Sequence, residues 1–210
     1  LFKPRDIVSG DFHWSTFKEG KLLLAAADCT GHGVPGAFLS ILGISSLNEI
    51  VNRSVGLPSA GEILESLRDY VIHTLHQKGN KDEARDGIEI ALIILDLQKQ
   101  SMQFAGANRP MYLVRDKEIL QYKGDRIPIG IYGQKDQSFS TLDLSLQEGD
   151  SIYLFSDGYV DQMGGPRRKT FRAVRFRELL LQIQDLGMEE QGRVLEQKYL
   201  EWRGEVDQID

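Results

Sequence analysis

The order of helical and extended segments constrains this chain most. Apolar residues recur at alternating or continuous strand spacing through residues 6–27, and again through Ile88–Leu97, Met102–Ala105, Met111–Val114, Ile119–Tyr122, Phe139–Leu146 and Ile152–Phe155. Gly, Asn, Asp or Pro bounds each run, as strand ends require. Helical spacing appears in adjacent pairs instead. Val34, Ala37, Phe38, Ile41 and Leu42 form one apolar stripe, and Ile63, Leu64, Leu67, Val71 and Leu75 form the next, behind a capping box at Ser59-Ala60-Gly61-Glu62. The second pair is expected near Phe176–Asp185 and Glu189–Arg203. Paired helices that do not alternate with strands exclude a βαβ rhythm. They point to an α+β chain of largely antiparallel sheets with helices packed outside. Glu19-Gly20-Lys21 carries the first hairpin signal, and Leu22–Ala27 reads as a strand buried on both faces.

At 210 residues the chain fits a single domain. It is long enough to bury about 70% of its unfolded surface without a disulfide or structural metal. Its one cysteine, Cys29, allows no internal disulfide and suits a reducing compartment. A formal net charge of −6 argues against nucleic acid as a partner. The longest apolar run, Leu22–Ala27, falls far short of a membrane span, and no signal peptide is evident. The opening Leu1-Phe2-Lys3-Pro4 reads as the start of a fragment of a longer protein.

Aspartates recur where turn chemistry would expose them: Val8-Ser9-Gly10-Asp11, Ala27-Asp28-Cys29, Phe155-Ser156-Asp157-Gly158 and the terminal Gln208-Ile209-Asp210. The first three are expected to follow strand-like runs. Carboxylates at strand ends beside glycine suit a hard divalent cation that keeps some of its waters, and two such ions can activate water against a phosphate ester. Each aspartate alone is an ordinary turn residue; their recurrence makes the case. Asp28 is the most telling, because an ionised carboxylate at the end of a buried strand is costly unless paired or bound to metal.

Other readings stand beside this one. Gly31-His32-Gly33-Val34-Pro35-Gly36 matches the dinucleotide fingerprint between a strand and a helix, but a second helix follows where that unit needs a strand ending in an acid. Cys29 lacks the base partner and electropositive niche of a catalytic thiol and reads as a small buried residue. His32 suits a general acid or a structural histidine equally. His73 and His76 read as surface residues. Arg167-Arg168-Lys169-Thr170-Phe171-Arg172 is either a solvated loop or a recognition loop in which Arg168 and Lys169 meet an acidic partner or phosphate.

Together, Val8-Ser9-Gly10-Asp11-Phe12, Asp28-Cys29-Thr30-Gly31-His32-Gly33-Val34-Pro35-Gly36-Ala37, Asp86-Gly87-Ile88-Glu89-Ile90-Ala91-Leu92, Pro128-Ile129-Gly130 and Phe155-Ser156-Asp157-Gly158-Tyr159-Val160-Asp161 resemble, in order, the SpoIIE branch of the metal-dependent, protein phosphatase 2C-like (PPM) phosphatases. The resemblance implies a four-layer α/β/β/α sandwich over residues 1–210, two antiparallel sheets flanked by paired helices. It implies two Mn²⁺ or Mg²⁺ ions and hydrolysis of phosphoserine or phosphothreonine. Asp28 would bridge the ions, the Cys29 carbonyl would bind one, and Asp11, Asp157 and Asp210 would complete the set, with Asp161 helping to hold a further, weaker ion. The implied setting is cytoplasmic, or the cytoplasmic part of a membrane sensor, with a sensor domain upstream in the same chain. The implied partner is a phosphorylated STAS-type protein, and a homodimer is left open. The competing class is an interaction module on this fold with a decayed metal site. The departures are Cys29 where the family has glycine, Thr30 in place of a histidine, no phosphate-gripping arginine near the start, and a closing strand expected to be cut off after Asp210.

Overall fold

The computed structural model describes residues 1–31, 33–78, 86–131 and 137–210. The chain opens with a hairpin, β1 (Phe12–Lys18) and β2 (Lys21–Cys29), followed by two helices, α1 (Gly33–Arg53) and α2 (Ala60–Thr74). Six strands come next: β3 (Ile88–Asp96), β4 (Ser101–Ala107), β5 (Met111–Arg115), β6 (Glu118–Tyr122), β7 (Leu142–Ser145) and β8 (Ser151–Leu154). A single turn α3 (Gly158–Asp161) precedes a small hairpin of β9 (Met163–Gly164) and β10 (Lys169–Thr170), and α4 (Ala173–Ile183) and α5 (Met188–Arg203) end the ordered elements. The larger sheet runs β1-β2-β3-β4-β7 and the smaller β6-β5-β8. Every pairing within them is antiparallel.

Three apolar layers make this a four-layer α/β/β/α sandwich. Period-two alternation sorts β3 between two of them. Ile88, Ile90, Leu92 and Ile94 join Leu39, Leu47, Ile63 and Leu67 beneath α1 and α2. Ala91, Ile93 and Leu95 point the other way and meet Met102, Phe104 and Met111 between the sheets. Tyr112 faces outward from the smaller sheet, packing with Phe176, Leu179, Leu180 and Ile183 of α4. The turns follow residue chemistry. Glu19 and Gly20, with φ of 52° and 74°, close β1 on β2, and Asp116 and Lys117 repeat the pattern between β5 and β6; two central residues at positive φ match the strand twist of a tight hairpin. The capping box at Ser59 and Glu62 is formed.

Three expectations are corrected. The hairpin begins at Phe12, not residue 6, so Asp11 opens a strand instead of following one. The extended run at Phe139–Leu146 narrows to Leu142–Ser145: Phe139 is buried in the helix-side core, and Ser140 N–H donates to Asp125 Oδ2 at 2.7 Å. The third concerns α1. Three residues of its apolar stripe face outward, Val34, Phe38 and Ile41, exposed by 62, 69 and 61%, while Leu42 packs against the helix-side core. The buried face is Gly36, Leu39, Ser40, Gly43, Ser46, Leu47 and Val51. Small residues there let the helix lie close to the sheet; a Cβ on Gly43 would come within 2.9 Å of the Phe12 ring. By length and composition α1 could also cross a membrane, although in this fold it packs on the larger sheet.

Backbone segments approach closely where α1 begins. A Cβ on Gly10 would lie 2.6 Å from the Gly31 carbonyl oxygen and 3.0 Å from that of Cys29, and a Cβ on Gly36 would collide with Gly31. Gly10→Ala and Gly36→Ala should each cost about 1–3 kcal/mol, the usual cost of forcing backbone apart in a packed site. Gly192→Ala on α5, where an added Cβ would meet open space among the described residues, should be neutral or stabilising. Thermal unfolding of the three variants checks this; equal shifts would contradict the close-approach account.

Candidate metal centre

One end of the sandwich is acidic because the strand register makes it so. Phe12 pairs with Ala27, so Asp11, one residue earlier, extends that ladder beside Asp28. Asp28 in turn pairs with Glu89. The neighbouring inward residues of β2 and β3 are apolar, Leu22 opposite Leu95 and Leu24 opposite Ile93 in the layer between the sheets. Asp11, Asp28 and Glu89 thus form the last rung of that layer. The smaller sheet brings Asp157, three residues beyond the end of β8, to the same end. Among the described residues, carboxylate oxygens of Asp11, Asp28 and Asp210 lie within 4.8 Å of one another, and so do those of Asp28, Glu89 and Asp157. Asp28 belongs to both groups.

Like charges opposed across a ladder repel, and the cation that answers them is Arg109. It sits in the turn Asn108-Arg109-Pro110 between β4 and β5, where the chain passes from one sheet to the other. Asn108 takes the left-handed conformation, φ 57°, that asparagine tolerates. Its side-chain amide donates to Glu89 Oε1 at 3.0 Å. Arg109 Nη2 donates to Asp28 Oδ2 and, at 2.7 Å, to Asp157 Oδ2. Glu89 Oε2 is 2.9 Å from the same nitrogen. Arg109 is 8% exposed, and its Nε is buried without a partner among the described residues. Asp11 accepts from Ser156 Oγ at 2.5 Å through one carboxylate oxygen, while the other, Oδ1, is buried and has no partner among the described residues. Ser9 Oγ accepts the Asp11 backbone N–H at 2.9 Å and fixes its turn.

Electrostatics mark the site as unfinished. Burial pushes the Asp11 carboxyl up to about 6, Asp210 and Asp157 add repulsion, and the Ser156 hydrogen bond opposes them. Burial raises Asp28 as well, helped by Asp11, Asp157 and Asp210 and opposed by Arg109. Burial works against the Arg109 charge but is outweighed by Asp157 and Asp28. The Cys29 thiol is driven well above its ordinary range, first by burial and then by Asp28 and Asp11. A thiol so raised is an inert structural side chain.

The donor set fits a hard divalent cation. All the converging ligands are carboxylate oxygens, as Mg²⁺ and Mn²⁺ prefer, and one of them, Asp11 Oδ1, is buried without a hydrogen-bond donor. The Cys29 carbonyl closes β2 next to Asp28, against Gly10. Asp161 lies one turn beyond Asp157 on α3 and is exposed; burial and then Asp157 raise its pKa. Arg168 and Lys169 are on the β9–β10 hairpin, which packs through Gly164 and Gly165 on Trp202 of α5 instead of on the acidic rung. His32 lies outside the described residues. His73 and His76 are exposed. Glu89 and Arg109 are additions that the sequence reading missed. Their signals were faint: one acid in an otherwise apolar strand, and an arginine set between Asn and Pro.

The raised carboxyls fix a pH dependence. A group whose folded-state pKa exceeds its unfolded value stabilises fully below the unfolded value, 3.8 for Asp11, and loses that contribution as pH rises through about 6. Asp28 carries the loss to higher pH. Without divalent ions, the melting temperature of wild type relative to Asp11→Asn should therefore fall between about pH 4 and 6, and divalent ions should reverse the trend at neutral pH. A difference that is flat or rises with pH would contradict the buried, repelling arrangement.

Residues 18–210 match the family described as Stage II sporulation protein E (SpoIIE). Phosphoserine phosphatase RsbP of Bacillus subtilis is 27% identical over 159 residues, 73% of this chain, which spans only 37% of RsbP. The SiaA-PP2C domain of Pseudomonas aeruginosa superposes with a TM-score of 0.89 at 28% identity, over all of this chain and 80% of that one. The PP2C phosphatase domain of SpoIIE from Bacillus subtilis shares the fold, with a TM-score of 0.72 at 20% identity, covering 97% of this chain and 56% of that one. The acidic rung, the sandwich that builds it and these likenesses converge: the chain belongs to the SpoIIE family of PP2C-type phosphatase domains.

Proposed function

We propose that this domain hydrolyses phosphoserine or phosphothreonine on a partner protein, with two divalent cations, Mn²⁺ or Mg²⁺, held by the acidic rung. The observation that carries the reading is the pair of carboxylate groups sharing Asp28. Asp11, Asp28 and Asp210 would hold one ion, with the Cys29 carbonyl; Asp28, Glu89 and Asp157 would hold the other. Asp161 stands near Asp157 for a weaker third. Such ions supply an activated water and neutralise charge on the phosphoryl oxygens.

The chain's own residues account for the rest. Ser156 orients the Asp11 carboxylate by donating to Oδ2, leaving Oδ1 without a donor among the described residues. The Cys29 thiol stays protonated, which favours direct attack by water over a covalent phosphoenzyme. Arg168 and Lys169, exposed on their hairpin and away from the acids, suit docking of an acidic surface on the phosphoprotein. The resemblance of the motifs makes a STAS-type regulator the proposed substrate, a sensor domain the proposed upstream partner and the cytoplasm the proposed compartment; the similarity to phosphoserine phosphatase RsbP supports phosphoserine as the group removed.

Hydrolysis of a phosphoserine peptide and of an aryl phosphate, each with and without Mn²⁺, tests the reading. Asp28→Asn and Asp157→Asn should each lower kcat by more than about 100-fold, beyond the 10–100-fold that loss of an outer partner costs. Cys29→Ser should keep most of the activity. Full turnover in either aspartate variant would overturn the two-ion reading. Loss in Cys29→Ser with Mn²⁺ still bound would point to a nucleophilic thiol, and a wild-type protein that binds Mn²⁺ but hydrolyses neither substrate would leave the interaction-module reading.

A further inference from the structure

Arg109 stands in the acidic rung as a cation already in place. Its Nη2 atom bonds Asp28 and Asp157 and lies 2.9 Å from Glu89. Those three residues are also one of the two carboxylate groups that converge within 4.8 Å. One nitrogen and one ion cannot share these oxygens. A Mg²⁺ ion sits about 2.1 Å from each ligand oxygen, inside the space this nitrogen fills. The arginine is not a surface residue that happens to reach the cluster. It is 8% exposed, its backbone lies in the turn joining the two sheets, and the neighbouring Asn108 binds the other oxygen of Glu89. Nor is its seat fully satisfied, because Nε is buried with no acceptor among the described residues. Such a group is held well enough to neutralise the rung and imperfectly enough to leave.

We propose that Arg109 is a built-in counter-cation that competes with a divalent ion for Asp28, Glu89 and Asp157. In the ion-free chain it neutralises the repelling carboxylates, so the sandwich folds without metal. Entry of the ion requires the guanidinium to withdraw. The apparent affinity is then the intrinsic affinity reduced by the small fraction of molecules in which Arg109 has already left. Arg109 thereby sets the divalent-ion concentration at which the domain becomes competent. The inference rests on the ion-binding reading of the rung, and its sign separates it from a purely structural role: a residue that merely supports the site weakens ion binding when removed, whereas a competitor strengthens it.

The test is Mn²⁺ titration by calorimetry at about pH 8, on wild type, Arg109→Met and Arg109→Lys, together with ion-free melting curves. Arg109→Met should bind Mn²⁺ at least about tenfold more tightly at the Asp28–Glu89–Asp157 site. It should melt at a lower temperature than wild type without ions and recover more on adding them. Arg109→Lys, which keeps the charge without the planar fork, should fall between. If the methionine variant does not fold, Arg109→Gln, neutral but still hydrogen-bonding, takes its place. Equal or weaker Mn²⁺ binding in the neutral variants, with wild type binding normally, would overturn the competition while leaving the metal centre intact. No binding in any of them would overturn both. Binding in the neutral variants alone would be its strongest support.

Discussion

The site depends on mutual repulsion among five carboxylates, Asp11, Asp28, Glu89, Asp157 and Asp210, gathered at one end of the space between two sheets. An isolated buried carboxylate pays a desolvation cost that only a cation or hydrogen-bond donors can offset. Donors that meet these groups include Ser156 for Asp11, Asn108 for Glu89, and Arg109 for Asp28, Asp157 and Glu89. The sandwich imposes the crowding. Asp11, Asp28 and Glu89 are consecutive across three strands because Phe12 pairs with Ala27 and Asp28 with Glu89. Shifting any of these strands by one residue would turn its acid into the apolar layer beneath the helices.

The glycines near the site serve the same end. Gly10 and Gly36 let the segment before β1, the end of β2 and the start of α1 meet backbone to backbone. That contact presses the Cys29 and Gly31 carbonyls against the turn that carries Asp11. A side chain at either position would push Asp11 away from Asp28. The small buried face of α1 continues this logic, since Gly43 and Ser46 keep the helix close to β1 and β3.

How much of this the sequence disclosed varies with the range of the interaction. Local chemistry was legible. The Glu19-Gly20 turn, the Ser59 capping box and the helix pairs follow from neighbours within a few residues, and each appears in the fold. Asp11 and Asp157 stood out beside glycine, Asp28 at the end of a buried strand and Asp210 at the terminus, and the fold brings them together. The face of α1 was misread because periodicity follows large apolar residues, while its packed face is built largely of Gly and Ser. Glu89 and Arg109 went unseen because their roles come from register and from a sheet-to-sheet crossing, neither of which leaves a local pattern.

Anomalous diffraction from crystals grown with Mn²⁺ tests the central claim most directly. The account predicts two peaks at the open end of the inter-sheet layer, both within bonding distance of Asp28, one beside Asp11 and Asp210 and the other beside Glu89 and Asp157. No peak there, or peaks that do not share Asp28, would contradict it.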